Sequence, residues 1–385
     1  MTKICIATGS YFHPQETQVT FHIQNLFGGN ACILHEHDME PDPFGLEHHS
    51  WVLPRSTKKT NFEKLAFLSS KMRSIVEHRT ARVPYGKTRV DICMFLGKAR
   101  PDAILAEFGN VALRVAPVAN QLGIPIFTYF RGADASSQLR APLRAAGYRR
   151  MMARLDGVFA VSQFLLDELA SVGAIHPNSH VVPSGVNTEL FMPLEKREGS
   201  FLMVGRLVEK KRPDITVRAF CENAQNFDGI TLDIVGDGPM LEQCKTIVQN
   251  YEMNDRIVFH GARPHDFVRD ILGRSEVFLQ HSVRAPNGNT EGLPTAIQEA
   301  MACGLAIVST RHAGIPEAVT EGENGYLVDE GDLDGFAAAI GQIASTMPQL
   351  PEMAERNRIK ALAHYDNRKL IKLVEHEIEA VLNNK

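Results

Sequence analysis

Two successive runs of short apolar segments, separated by helical patterns, limit what this chain can fold into more than any other feature. The first run is Lys3–Thr8, Ala31–His35, Ile104–Ala106, Ile124–Tyr129 and Gly157–Val161. The second is Phe201–Val204, Leu232–Val235, Ile257–Phe259, Val277–Gln280, Ala306–Ser309 and Gly325–Val328. A strand followed by a helix, over and over, is the pattern of a parallel doubly wound sheet, so the chain is predicted to be α/β with two Rossmann-like domains. Val181–Pro193, VVPSGVNTELFMP, interrupts the alternation with prolines, a glycine and polar residues, and marks the boundary. At 385 residues the chain is long enough for two separate cores, with a cleft available between them.

The 44% hydrophobic content and net charge of −4 describe an ordinary globular protein. No apolar run is long enough to span a bilayer, and Met1–Ser10 lacks the features of a signal sequence, so a cytoplasmic location is expected. The six cysteines, at positions 5, 32, 93, 221, 244 and 303, form no C-x-x-C pair and are expected to be reduced. Charge is uneven: residues 1–185 carry a net +5 and residues 186–385 a net −9, which makes the first half the side suited to anionic lipid.

The most informative stretch is EGLPTAIQEAMACG, Glu291 to Gly304. Leu293, Ile297, Ala300, Met301 and Gly304 recur at helical spacing, with Pro294 at the first turn, which predicts an amphipathic helix of about ten residues starting just after Glu291. Glu299 lies off the apolar stripe. Glu291 precedes the helix beside Gly292, where free first-turn N–H groups favour an anion such as phosphate. In an all-helical segment the two glutamates would be about 12 Å apart, beyond the separations of hydrolase carboxylate pairs, so a glycosidase is disfavoured. They are expected to hold different parts of one elongated ligand.

This stretch carries a resemblance. Glu291, seven residues and Glu299 match the E-x7-E signature of the retaining glycosyltransferases of family 4, and the run from Glu291 to Val319 is similar to that family nearly throughout. The resemblance implies a GT-B fold, two Rossmann-like domains facing a cleft. It also implies a C-terminal helix, 366–385, that crosses back onto the first domain, 1–185, with a donor domain at 194–365. The implied reaction is metal-independent transfer of a hexose from a UDP or GDP sugar to a glycan or polyprenyl-linked acceptor. Pro14-Gln15-Glu16-Thr17 resembles the P-x-S-E-T form of the exopolysaccharide branch, which points to surface polysaccharide biosynthesis.

Further residues follow from position and resemblance together. GRLVEKK, Gly205 to Lys211, places Arg206 and Lys211 at the carboxyl edge of the second sheet, where α/β folds bind ligands, and resembles the family's diphosphate-binding segment. Gly236 and Gly238 permit tight turns, lack the rest of a dinucleotide fingerprint, and resemble the family's nucleotide loop. Arg263 falls in the loop near the base. By the same resemblance Glu299 would hold ribose hydroxyls, and Glu291 with the backbone of Gly292, Leu293, Pro294 and Thr295 would hold the sugar and its phosphate. Where the family has H-G-x-D, this chain has Arg131-Gly132-Ala133-Asp134, putting Arg131 and Asp134 among the catalytic candidates. Arginine is no base at neutral pH, so its expected use is electrostatic, on the donor's phosphate.

His35-Glu36-His37 and His48-His49 offer two ligands on one strand face but no evident third, and no metal or other cofactor is expected. Arg140, Arg144, Arg149, Arg150 and Arg154, free of intervening acids, are either a solvated helix face or a surface for anionic membrane lipid, which would make the protein peripheral on the inner face of the plasma membrane. No nucleic-acid partner is expected. Two alternatives remain: a nucleotide-sugar 2-epimerase, which would change the donor without an acceptor, and a non-catalytic nucleotide-sugar binding protein.

Overall fold

The computed structural model describes residues 1–10, 17–37, 44–51, 61–80 and 83–384, with the backbone alone for 17, 37 and 61–67. Pro14, Gln15 and Glu16, singled out above, lie outside the described residues, as does the side chain of His37. The chain divides into two compact units, one of residues 1–182 with 371–385, the other of residues 183–370.

The first unit is built on β1 (Ile4–Ser10), β2 (Ala31–His37), β3 (His48–Ser50), β4 (Ala103–Glu107), β5 (Ile126–Phe130), β6 (Gly157–Ala160) and β7 (Ser179–Val181). These form one parallel sheet in the order β3-β2-β1-β4-β5-β6-β7. β4 and β5 are buried at every residue, as expected where helices cover both faces of a parallel sheet. Sequence reasoning missed β3 and β7. Each is three residues long, lies at a sheet edge and is only partly buried, so neither has an apolar run to betray it.

The second unit contains β8 (Ser200–Val204), β9 (Thr231–Val235), β10 (Ile257–Gly261), β11 (Val277–Gln280), β12 (Ala306–Thr310) and β13 (Gly325–Val328). All pair in parallel, in the order β10-β9-β8-β11-β12-β13. The order reverses between β8 and β11. At such a switch point the loops leave neighbouring strands in opposite directions and open a crevice beyond the carboxyl ends, which is where ligands bind in open α/β sheets.

The last helix, Asn367–Asn383, groups with the first unit from Ile371 onward. Ile371, Val374 and Ile378 are its buried stripe, and the Glu375 carboxylate accepts the Phe27 N–H at 2.6 Å. No helix among the described residues is long and apolar enough to cross a membrane.

Candidate active site

The crevice of the second sheet is built by the loop after β8 and the loop after β11. A turn at Glu209–Lys211 brings two adjacent lysines to the same side. Lys210 Nζ lies 3.0 Å from Glu291 Oε2, and Lys211 Nζ lies 3.1 Å from both Glu291 Oε1 and Gln280 Oε1. The contact at Oε1 is ionic, without hydrogen-bond alignment. Burial raises the Glu291 pKa, but Lys211 and Lys210 pull harder the other way and hold it at about 2. Burial lowers that of Lys211, with Glu291 opposing. The carboxylate is therefore ionised and fixed between two cations.

The helix after Glu291 spans Thr295–Ala302 and is shorter than the spacing predicts. Pro294 is its N-cap, with ψ 127°, rather than part of its first turn. A proline disfavours the helical conformation of the residue before it, so Leu293 cannot extend the helix back to Glu291. Glu291 sits instead in an irregular loop, where its N–H donates to His312 Nε2 at 3.1 Å. Leu293 is buried in the core, and Pro294 has no N–H to offer. The Leu293 carbonyl accepts from Gln298 Nε2 and the Pro294 carbonyl from the Ile297 and Gln298 N–H groups, so both are engaged within the protein.

Glu299 projects from the helix with no hydrogen bond or ion pair to its carboxyl among the described residues. The residue is half-buried, and burial raises its pKa to about 7, offset in part by Lys211. Arg206 is exposed and likewise has no charged partner among the described residues. Arg263, also exposed, lies with its guanidinium 5.2 Å from the Phe267 ring centre.

The glycines here make room for neighbouring backbone. A Cβ on Gly236 would sit 1.9 Å from the Gly205 carbonyl oxygen, and one on Gly238 would sit 2.4 Å from that of Leu207. With φ at 145°, Gly236 is also in a conformation that other residues avoid. The close approach is between the loops after β8 and β9, so Gly236 shapes the crevice through backbone packing.

In the first unit, Glu107 ends β4 and Arg131 follows β5. Both Nε and Nη2 of Arg131 donate to Glu107 Oε2, at 2.9 and 2.8 Å, while His22 Nδ1 lies 2.5 Å from Oε1. Glu107 is fully buried; burial raises its pKa, but Arg131 and His22 together hold it at about 2. Arg131 also stacks on Tyr129, 4.1 Å from the ring centre. Asp134 is buried too, and its carboxylate accepts the N–H groups of Arg131 and Gly132 at one oxygen and of Gly109 at the other. It fastens the loop, and the expectation of a catalytic role for it meets a carboxylate already engaged at both oxygens. Phe108, between Glu107 and Gly109, has φ 74°, backbone strain of a kind that clusters at functional sites.

Of the basic run, Arg149 donates to the Val172 carbonyl, Arg150 to those of Val76 and Glu77, and Arg154 to His78. These arginines tie down helix C-termini, a structural use. Among the first unit's histidines, His35 Nε2 lies 3.1 Å from His48 Nδ1, and Glu36 pairs with Arg114. Lys210, Gln280, His312 and Glu107 escaped sequence reasoning. Only the doubled lysine beside Lys211 carried a usable signal.

Residues 191–360 match the family described as glycosyl transferases group 1, and residues 69–190 the one described as glycosyltransferase family 4. The chain is 30% identical over 282 residues to the colanic acid biosynthesis glycosyltransferase WcaL of Escherichia coli, covering 71% of this chain and 68% of that one. To its namesake in Salmonella typhimurium it is 31% identical over 255 residues, 63% of this chain and 61% of that one, so the match spans less than two thirds of that relative. An Anabaena protein, HepE, solved with UDP, superposes with a TM-score of 0.75 at 15% identity over 98% of this chain and 100% of that one. The chain belongs to glycosyltransferase family 4 and has the GT-B fold.

Removing one member of the buried Glu107–Arg131 pair takes from the other its ion-pair partner in a desolvated site, which costs about 3–5 kcal/mol. Glu107→Ala and Arg131→Ala are each expected to lower stability by that amount in urea unfolding near pH 7, and a loss under about 1 kcal/mol would show the pair to be dispensable. Because the folded pKa of Glu107 lies below its ordinary value near 4.5, the stabilisation is complete above that value and disappears as pH falls through about 2.

Proposed function

We propose that the protein transfers a hexose from a nucleoside diphosphate sugar to a glycan acceptor in surface polysaccharide biosynthesis, with retention of anomeric configuration and without a metal. The observation that carries this reading is Glu299: a carboxyl raised to about 7, unpartnered among the described residues, on the helix next to the Glu291–Lys210–Lys211 cluster. Such a group costs stability unless a ligand uses it, and a ribose diol supplies two donors of the right kind. Arg206 and Lys211 would stabilise the charge that grows on the departing diphosphate. In the transfer the acceptor hydroxyl oxygen bonds to the anomeric carbon as the bond from that carbon to the diphosphate breaks. The departing phosphate takes the hydroxyl proton on the same face, so no enzymic nucleophile is needed. The UDP bound to HepE supports a uridine donor.

Arg131, held by Glu107, would act on phosphate electrostatically. An epimerase would convert the donor alone, so incubation of UDP-glucose with and without an oligosaccharide acceptor separates the two enzymes. Transfer is expected to survive EDTA; loss of turnover in chelator, restored by magnesium or manganese, would refute the metal-free reading.

Binding of UDP should follow the ionisation of Glu299, because only the carboxylate accepts two hydroxyl protons. Affinity is expected to fall by about tenfold per pH unit below pH 7. Glu299→Gln should weaken binding about ten- to a hundredfold at pH 8 and flatten that dependence. Calorimetry showing equal affinities for the two proteins at pH 8 would remove Glu299 from the site.

A lipid-linked acceptor would bring the protein to a membrane. The feature that supports this is a stripe on the helix Asn61–His78, where Leu68, Met72 and Val76 recur every four residues and are 56–62% exposed, with the exposed Lys71 and Arg73 beside them. Apolar side chains flanked by cations suit an anionic bilayer surface. The protein is expected to co-sediment with vesicles containing phosphatidylglycerol, and Met72→Glu to abolish this; equal recovery with purely zwitterionic vesicles would exclude the stripe as an anionic-lipid surface.

A further inference from the structure

The turn after β12 grips the loop that carries Glu291 at two points. The Gly314 N–H donates to the Gly292 carbonyl at 2.8 Å, and His312 Nε2 accepts the Glu291 N–H at 3.1 Å. An amide can only donate, so Nε2 must present a lone pair, and the imidazole is neutral with its proton on Nδ1. That proton points at Glu330 Oε1, 2.6 Å away. The other oxygen of Glu330 accepts the N–H of Arg284 at 2.7 Å, within the same loop that leads from β11 to Glu291. The His312 side chain is 1% exposed. Ala313, next to it, has φ 49°, a left-handed conformation that a residue with a Cβ adopts only when its surroundings impose it.

We propose that His312 is a positioning residue: with its proton on Nδ1 toward Glu330 and Nε2 bare, it fixes the Glu291 backbone and so aims the Glu291 carboxylate between Lys210 and Lys211. Glu330 orients the ring and anchors the loop at a second point. His312 touches neither the sugar nor the diphosphate. It acts on the donor through Glu291, so its role rests on the reading of Glu291 given above. A glutamine side chain carries an acceptor oxygen and a donor NH2 that can replace the Nε2 acceptor and Nδ1 donor of the neutral imidazole, and it is therefore the conservative replacement.

His312→Ala is expected to raise the donor KM by about tenfold or more with kcat little changed, as loss of a binding contact does. A variant that merely folds poorly would lower the active fraction and kcat at unchanged KM. His312→Gln should restore the donor KM to within about threefold of the unmodified protein, and combining His312→Ala with Glu330→Ala should add little to the first change, since the two residues act in series. Nitrogen-15 spectra of the full chain with labelled histidine should show a proton on Nδ1 and none on Nε2 of His312, assigned by its loss in His312→Gln. A protonated Nε2, or an unchanged donor KM in His312→Ala, would overturn the proposal. Failure of the unmodified protein to bind either UDP or GDP would overturn the functional reading instead, and the histidine spectrum would still decide the tautomer.

Discussion

A carboxylate removed from water survives as a charge only if cations or N–H donors are held against it, and the pairing of Glu291 with Lys210 and Lys211 sets the terms for the second unit. The lysines come from the turn after β8 and the glutamate from the loop after β11, some eighty residues later in the chain. They meet because β8 and β11 are neighbours in the sheet, at the point where strand order reverses. Gly236 and Gly238 let the loops after β8 and β9 pack backbone to backbone beside them, and Gly205 leaves room for the Lys211 side chain. Buried ion pairs add little net stability, so what this one supplies is geometry: a fixed cluster of charge at the sheet edge.

The first unit uses the same device with the signs exchanged between strands. Glu107 ends β4, Arg131 follows β5, and the two strands pair side by side. His22 closes the other carboxylate oxygen, and Asp134 fastens the backbone on which Arg131 stands. An arginine in place of the family's usual histidine brings a permanent charge, and that charge is largely balanced by Glu107 within the unit. Its electrostatic reach beyond the unit is correspondingly short, so any contact it makes with phosphate must be direct.

Glu299 shows the opposite economy. Its carboxyl is half-buried with no partner among the described residues, and burial raises its pKa to about 7. Lys210, Lys211 and Glu291 neutralise one another, whereas Glu299 and the exposed Arg206 have no charged partner among the described residues. That contrast, more than the presence of charged residues at a sheet edge, is what supports the ligand site proposed at Glu299.

The sequence by itself determined the two α/β units, eleven of the thirteen strands among the described residues and the E-x7-E segment, because strand and helix periodicities and turn residues are local properties that survive without knowledge of the fold. It also drew attention to Arg206, Lys211, Glu291 and Glu299, through motif spacing. Only the tertiary structure decided what those residues touch. That Pro294 stops the helix short of Glu291, that Lys210 joins Lys211 on one carboxylate, that Gly236 makes room for a carbonyl, and that Arg131 is spoken for by Glu107 all depend on strand neighbours distant in sequence. His312 and Glu330 could not be read from the chain at all, since a histidine's tautomer is set by the donor facing it, and that donor is a backbone N–H twenty-one residues away.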